Sequence, residues 1–142
     1  MRAIGLCIGN YFYEMKNGLI CSVEQVKDIK SSGVNHYNFG DECVLFKEYK
    51  PSKHQFYAEP IPLTEEWLLK FGFEKGWNQY DKHDYYAKDC WGKIRIDNGY
   101  LEPAEYYFLD GIRDSYKIKY IHQLQNLYHA LTGEELKVKE LA

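Results

Sequence analysis

The sequence predicts an α+β fold: a single domain over residues 1–142, with a strongly bent antiparallel sheet approaching a small SH3-like barrel and two helices packed on it. Three observations point there. Asn17-Gly18, Asn98-Gly99 and Asp110-Gly111 punctuate aromatic and apolar segments in the way β-hairpin turns do. Two stretches, near residues 64–72 and 120–133, combine cap residues with apolar positions at helical spacing. A chain of 142 residues, 45% of them apolar, buries about 68–70% of its unfolded surface, enough for a core without disulfides or metals.

The elements run strands, helix, strands, helix. Asn17-Gly18 separates Tyr11-Phe12-Tyr13 from Leu19-Ile20-Cys21 and Val23, and Asn-Gly supplies the positive φ angles of a type I′ turn. Asn98-Gly99 is expected to join Ile94-Arg95-Ile96 to Tyr100-Leu101 in the same way. Asp110-Gly111, after Tyr106-Tyr107-Phe108-Leu109, marks a third hairpin or a looser turn. Between the first two strand groups, Pro60 and Pro62 hold an extended entry to a short helix. Thr64 is its N-cap, Glu65 and Glu66 suit its positive end, and Trp67, Leu68 and Phe71 share its inward face. Gly72 stops it in a left-handed conformation.

In the second helix, Tyr120, Ile121, Leu124, Leu127, Tyr128 and Leu131 fall in one stripe about 120° wide, the core face. His122, Asn126 and His129 form a polar ridge opposite, with Gln125 at its edge, and Gly133 ends the helix. Thr132 with Glu135 offers a second cap, and the alternation Leu136-Lys137-Val138-Lys139 suggests a terminal strand. Segments 31–58 and 74–92 are read as irregular, from Ser31-Ser32-Gly33 and Asn38-Phe39-Gly40-Asp41 in the first and the mixture of aromatics and acids in the second.

Composition excludes several functions. The net charge is −3, which does not suit a dedicated nucleic-acid binder. Lys47, Lys50 and Lys53, with Tyr49, Phe56 and Tyr57, are the sole basic-aromatic strip, and three lysines give only modest counterion release. No apolar run is long enough for a membrane span. Arg2 stands alone before a stretch interrupted by Gly5 and Gly9, so no export signal is expected and the cytoplasm is the expected compartment. Cys7, Cys21, Cys43 and Cys90 form no C-x-x-C pair; buried free thiols are expected. Charge is uneven: residues 59–114 carry 12 acids and 7 bases, net −5, whereas the segments on either side are each +1.

Motifs for chemistry are scarce. There is no phosphate loop, no dinucleotide fingerprint and no G-x-S-x-G elbow. No cofactor is implied. Asp81-Lys82-His83-Asp84 is the best local cluster, and a metal- or His-dependent hydrolase or nuclease using Asp81, His83 and Asp84 is the enzymatic alternative. His122 and His129 share a helix face but lie about 10 Å apart along its axis, too far for one ion. His36 and His54 have no Cys or carboxylate at ligand spacing.

Aromatics are the anomaly, with 14 Tyr, 7 Phe and 3 Trp. A core this size cannot provide partners for so many hydroxyls, so several lie at the surface, where Tyr and Trp serve interfaces. The densest group is Trp77, Tyr80, Tyr85, Tyr86 and Trp91, interleaved with Asp81, Asp84 and Asp89. These eight residues are the candidate partner-binding site: aromatic anchors with a charged rim.

Three segments stand out: Ile8-Gly9-Asn10-Tyr11, Ile61-Pro62-Leu63-Thr64-Glu65-Glu66 through Gly72-Phe73, and His122-Gln123-Leu124-Gln125-Asn126-Leu127-Tyr128 through Ala130-Leu131-Thr132-Gly133-Glu134-Glu135-Leu136. They cover about a quarter of the chain, and together they resemble a family of short bacterial, prophage and phage proteins to which no function is assigned. No site residue is carried over from it. The resemblance implies a mobile-element habitat, in which small acidic domains act by binding host proteins or ribonucleoproteins. Stoichiometric inhibition of a host defence nuclease, as by an anti-CRISPR protein, is the concrete form of that expectation; a structural accessory phage protein is another.

Overall fold

A computed structural model of the chain describes residues 6–30, 33–36, 42–78, 83–88, 94–98, 107–109 and 117–138. The fold is α+β, mostly strands with two α-helices, and the order strands, helix, strands, helix holds. The described strands form two open sheets rather than one. The chain divides into two compact units, Met1–Ile61 with Ile121–Asn126, and Pro62–Tyr120 with Leu127–Ala142.

The first unit holds β1 (Tyr11–Lys16), β2 (Leu19–Gln25), β3 (Asp28–Lys30), β4 (Gly33–Asn35), β5 (Glu42–Leu45) and β6 (Tyr57–Glu59), in the spatial order β2-β1-β6-β5-β4-β3. Segment 31–58, expected to be irregular, therefore supplies three strands. Asn17 (φ 53°) and Gly18 (φ 79°) turn β1 into β2 as their sequence predicts. The ladder skips Cys21 between the pairs Glu14–Ser22 and Met15–Ile20, a bulge that bends the strand pair. Every pairing is antiparallel except β5 with β6, which is parallel.

The curvature of this sheet follows from chain length. Its two edge strands, β2 and β3, would lie about 24 Å apart across five flat strand spacings. Val26 and Lys27 alone connect them, a reach of about 11 Å over three Cα steps. The sheet must curl until its edges are neighbours. Backbone bonds pin the corner: Gly9 N to Val26 O and Val26 N to Asn10 O, both 2.9 Å, and Lys27 N to Asn35 O, 2.6 Å. No ladder joins β2 to β3, so the expected approach to a barrel stops short of closure among the described residues. Leu6, Phe12, Val26, Val34, Cys43, Leu45 and Ala58 fill the concave core. A Cβ on Gly33 would meet the Cys43 carbonyl at 2.3 Å, so only glycine allows β4 this close to β5.

The second unit holds α1 (Glu65–Lys70) and an antiparallel meander of β7 (Glu74–Asn78), β8 (His83–Lys88), β9 (Ile94–Asn98), β10 (Tyr107–Leu109) and β11 (Lys117–Ile118). Thr64 Oγ1 accepts from Trp67 N at 3.4 Å, and Trp67, Leu68 and Phe71 are buried. Gly72 (φ 91°) closes α1, with Phe73 N donating to Leu68 O and Gly72 N to Leu69 O, both 3.0 Å. Tyr107–Leu109 pairs with β9; the expected Asn98-Gly99 hairpin partner, Tyr100-Leu101, lies with Gly99 outside the described residues. β10 and β11 pair antiparallel on either side of Asp110-Gly111, itself outside them.

Helix α2 (Ile121–Thr132) supplies residues to both units. Ile121, Leu124 and Tyr128 are buried as expected, but Leu131 is 51% exposed. The polar ridge is overturned at two positions: His122 and Gln125 are each only 3% exposed. Gly133 (φ 76°) ends α2. Thr132 Oγ1 donates to Tyr128 O at 2.8 Å and accepts from Glu134 N at 3.0 Å, which closes this helix rather than opening another. Residues 135–138 form no strand, and Leu136 is buried. Cys43 is a buried free thiol, but Cys7 and Cys21 are exposed, because Cys21 is the bulge residue and Cys7 precedes the Ile8-Gly9 turn; Cys90 lies outside the described residues. Among the described residues no helix is long and apolar enough to cross a membrane.

Candidate functional site

In segment 74–92, expected to be an irregular aromatic stretch, the described residues form the β7–β8 ladder instead. β7 is an edge strand, and Trp77 on it is 60% exposed. Opposite Gly76 in the ladder, the Tyr85 ring takes the space a side chain there would need: a Cβ would lie 2.2 Å from Tyr85 Cζ. Tyr85 is half-buried. Tyr86 departs from the expected site: it is 2% exposed, and its hydroxyl donates to Glu65 Oε1 at 3.2 Å, so it is a core residue. The same carboxylate oxygen lies 2.7 Å from Lys75 Nζ. The Lys75 hydrogen bond, helped by the Tyr86 hydroxyl, holds the Glu65 carboxyl below the usual range against partial desolvation. Asp84 faces Trp77 in the ladder, and His83 faces Asn78. Tyr80, Asp81, Asp89 and Trp91 lie outside the described residues.

In the basic strip, Tyr49 stacks on Tyr57 with ring centroids 4.2 Å apart, and Tyr57 is buried. Its three lysines are exposed. The aromatics there serve packing.

Within the first unit, the Ile8-Gly9-Asn10-Tyr11 segment meets the start of α2. Gln125 Oε1 accepts from Tyr11 N at 2.9 Å, and its Nε2 donates to Gly9 O at 3.2 Å. Asn10 Nδ2 donates to Asn126 Oδ1 at 3.0 Å, while Asn10 Oδ1 accepts from Cys7 N at 2.7 Å. Gln25 Nε2 also donates to Gly9 O, at 2.9 Å. The Ile8-Gly9-Asn10-Tyr11 turn is thus read by side chains of the first turns of α2. Gln125, a buried amide that meets backbone groups, and Asn126, half-buried and bonded to the Asn10 side chain, explain why the helix carries amides where a wheel suggests solvent.

A second polar cluster lies in the curled sheet. Glu14 on β1 stands opposite Ala58 on β6, and Ala58 stands beside Leu45 on β5. Cys43 is two residues from Leu45 and so shares its face. The small Ala58 side chain lets Glu14 reach past it, and Cys43 Sγ donates to Glu14 Oε2 at 3.5 Å. His36, just after β4, brings Nε2 to 2.5 Å from the same oxygen, and its Nδ1 lies 3.5 Å from Glu24 Oε1. The Phe12 ring meets the His36 ring edge-on at 5.7 Å. Glu14, His36 and Cys43 are 8%, 4% and 1% exposed, and their donor atoms all lie within 4.8 Å of one another. Sequence spacing offers His36 no such neighbours: the three are 22 and 7 residues apart, and only the pairing of β1, β6, β5 and β4 assembles them.

Comparison with known family models, curated proteins and solved structures finds no match to this chain.

Proposed function

We propose that the protein acts as a binding module of phage or mobile-element type, engaging a host protein or ribonucleoprotein stoichiometrically and without chemistry of its own. A host defence nuclease of the guide-RNA-dependent kind is the partner class implied by the family resemblance. The observation that carries the reading is Trp77: a large aromatic, 60% exposed, on an edge strand, within a stretch of net charge −5. A tryptophan in that setting is a suitable anchor for an interface, and the acidic surround favours a basic partner surface.

The test is inhibition and binding of purified guide-RNA-dependent nucleases by the purified chain. Trp77→Ala should weaken binding by at least about 2 kcal/mol with an unchanged circular dichroism spectrum. Association should slow as ionic strength rises from about 0.01 M to 0.15 M, where the screening length falls from about 30 Å to 8 Å. Turnover of a small molecule by the pure chain, with no partner recovered from host lysate, overturns this reading.

A further inference from the structure

We propose that Glu14, His36 and Cys43 form a divalent transition-metal site, with Zn2+ as the fitting ion. Three side chains of three ligating chemistries converge on one buried point inside the curled sheet, their donor atoms within 4.8 Å of one another. An oxygen, a nitrogen and a sulfur donor together suit a borderline-soft ion; thiolate disfavours Mg2+ and Ca2+, which take oxygen ligands. Glu24 lies on the far side of the imidazole. With Nε2 facing the ion, Nδ1 is 3.5 Å from Glu24 Oε1, longer than a good hydrogen bond but on the side where a metal-bound histidine takes its outer partner.

Burial gives the physical motive. Cys43 belongs to the apolar core cluster, and Glu14 reaches a carboxylate in beside it. A carboxylate taken from water needs compensation, and a doubly charged ion neutralises both a carboxylate and a thiolate. The Glu14 Oε2–His36 Nε2 separation of 2.5 Å is that of a direct hydrogen bond. Metal entry replaces this bond and moves the two donors apart; the proton it held leaves Nε2, to Nδ1 on the Glu24 side or to solvent, and the Cys43 thiol proton goes to solvent as the S–metal bond forms. A water or the second Glu14 oxygen supplies the fourth ligand. Because the ligands come from β1, β5 and the end of β4, the ion ties β1 to the β4–β5 pair, from which β6 separates it in the sheet. Its role is to hold the curl, independently of any partner bound elsewhere.

The experiment uses the untagged full chain, stripped with chelator and titrated with Zn2+ and with Co2+ as a spectroscopic probe. One ion per chain is expected, with a thiolate-to-cobalt charge-transfer band, tetrahedral d–d bands and a melting temperature that rises with Zn2+. Loss of an outer partner alone typically weakens a metal site about 10–100-fold, so Glu14→Gln and His36→Ala should each weaken Zn2+ binding at least as much. Cys43→Ser should abolish the charge-transfer band. X-ray absorption on the zinc-loaded wild-type chain needs no variant: one sulfur at about 2.3 Å and nitrogen or oxygen neighbours at about 2.0–2.1 Å are expected. Absence of bound metal, a shell with no sulfur or several, or a cobalt spectrum unchanged by Cys43→Ser overturns the site and leaves a buried hydrogen-bonded cluster.

Discussion

Gln125 makes two hydrogen bonds to backbone groups of a turn 114 and 116 residues away in the chain, and it is almost fully buried. Gln125→Ala leaves Tyr11 N without this acceptor and Gly9 O with one donor fewer. A buried polar group left unmet costs about 1–3 kcal/mol, so urea denaturation should show a loss of at least that size. A loss within the scatter of surface substitutions would mean that the turn is held by other bonds. Glu65 shows the opposite balance, a carboxyl near the surface tuned by its neighbours. Its folded pKa lies below its unfolded value, so its contribution to stability is present above the unfolded pKa and is lost as pH falls through the folded one. Lys75→Gln should raise the Glu65 pKa toward 4.5 in an NMR titration, and Tyr86→Phe should raise it less, because the lysine is the larger cause. The stability difference between wild type and Lys75→Gln should shrink as the pH drops below that range.

At the level of elements, α2 shows how far a helical wheel can be taken. Leu124 is fully buried, and Leu124→Ala should cost about 2–5 kcal/mol. Leu131, on the same apolar stripe, is half exposed, and Leu131→Ala should stay within about 0.5 kcal/mol. His122→Ala, which the wheel makes harmless, should destabilise measurably because the ring is 3% exposed. Equal costs for Leu124 and Leu131 in urea melts would contradict the placement of the helix. The wheel errs because it assumes one buried face of apolar residues. In its first turns α2 instead buries polar side chains that meet backbone and amide partners, and burial then no longer follows hydropathy. By contrast α1 was legible almost residue by residue, from the Thr64 cap to the left-handed Gly72, since both signals act within one turn of chain.

For the whole chain, the α+β class was legible from turn and helix signals, whereas the pairing of strands was not. The parallel β5–β6 pair joins residues 13 apart in sequence, and the pairing of β1 with β6 joins residues 42 to 46 apart. The candidate sites divide in the same way. Trp77 stood out by composition, but Tyr86 in the same run proved to be core, because its hydroxyl found Glu65. Glu14, His36 and Cys43 carried no local signal at all. What the sequence determined by itself were the features set by backbone stereochemistry and short-range hydrogen bonds: the Asn17-Gly18 turn, the ends of α1 and the stop at Gly133, where positive φ or a cap oxygen decides the outcome. Only the tertiary structure decided which polar groups are buried. Removing a carboxylate, imidazole or amide from water is unfavourable until a partner arrives, and here the partners arrive from strands and turns tens of residues away.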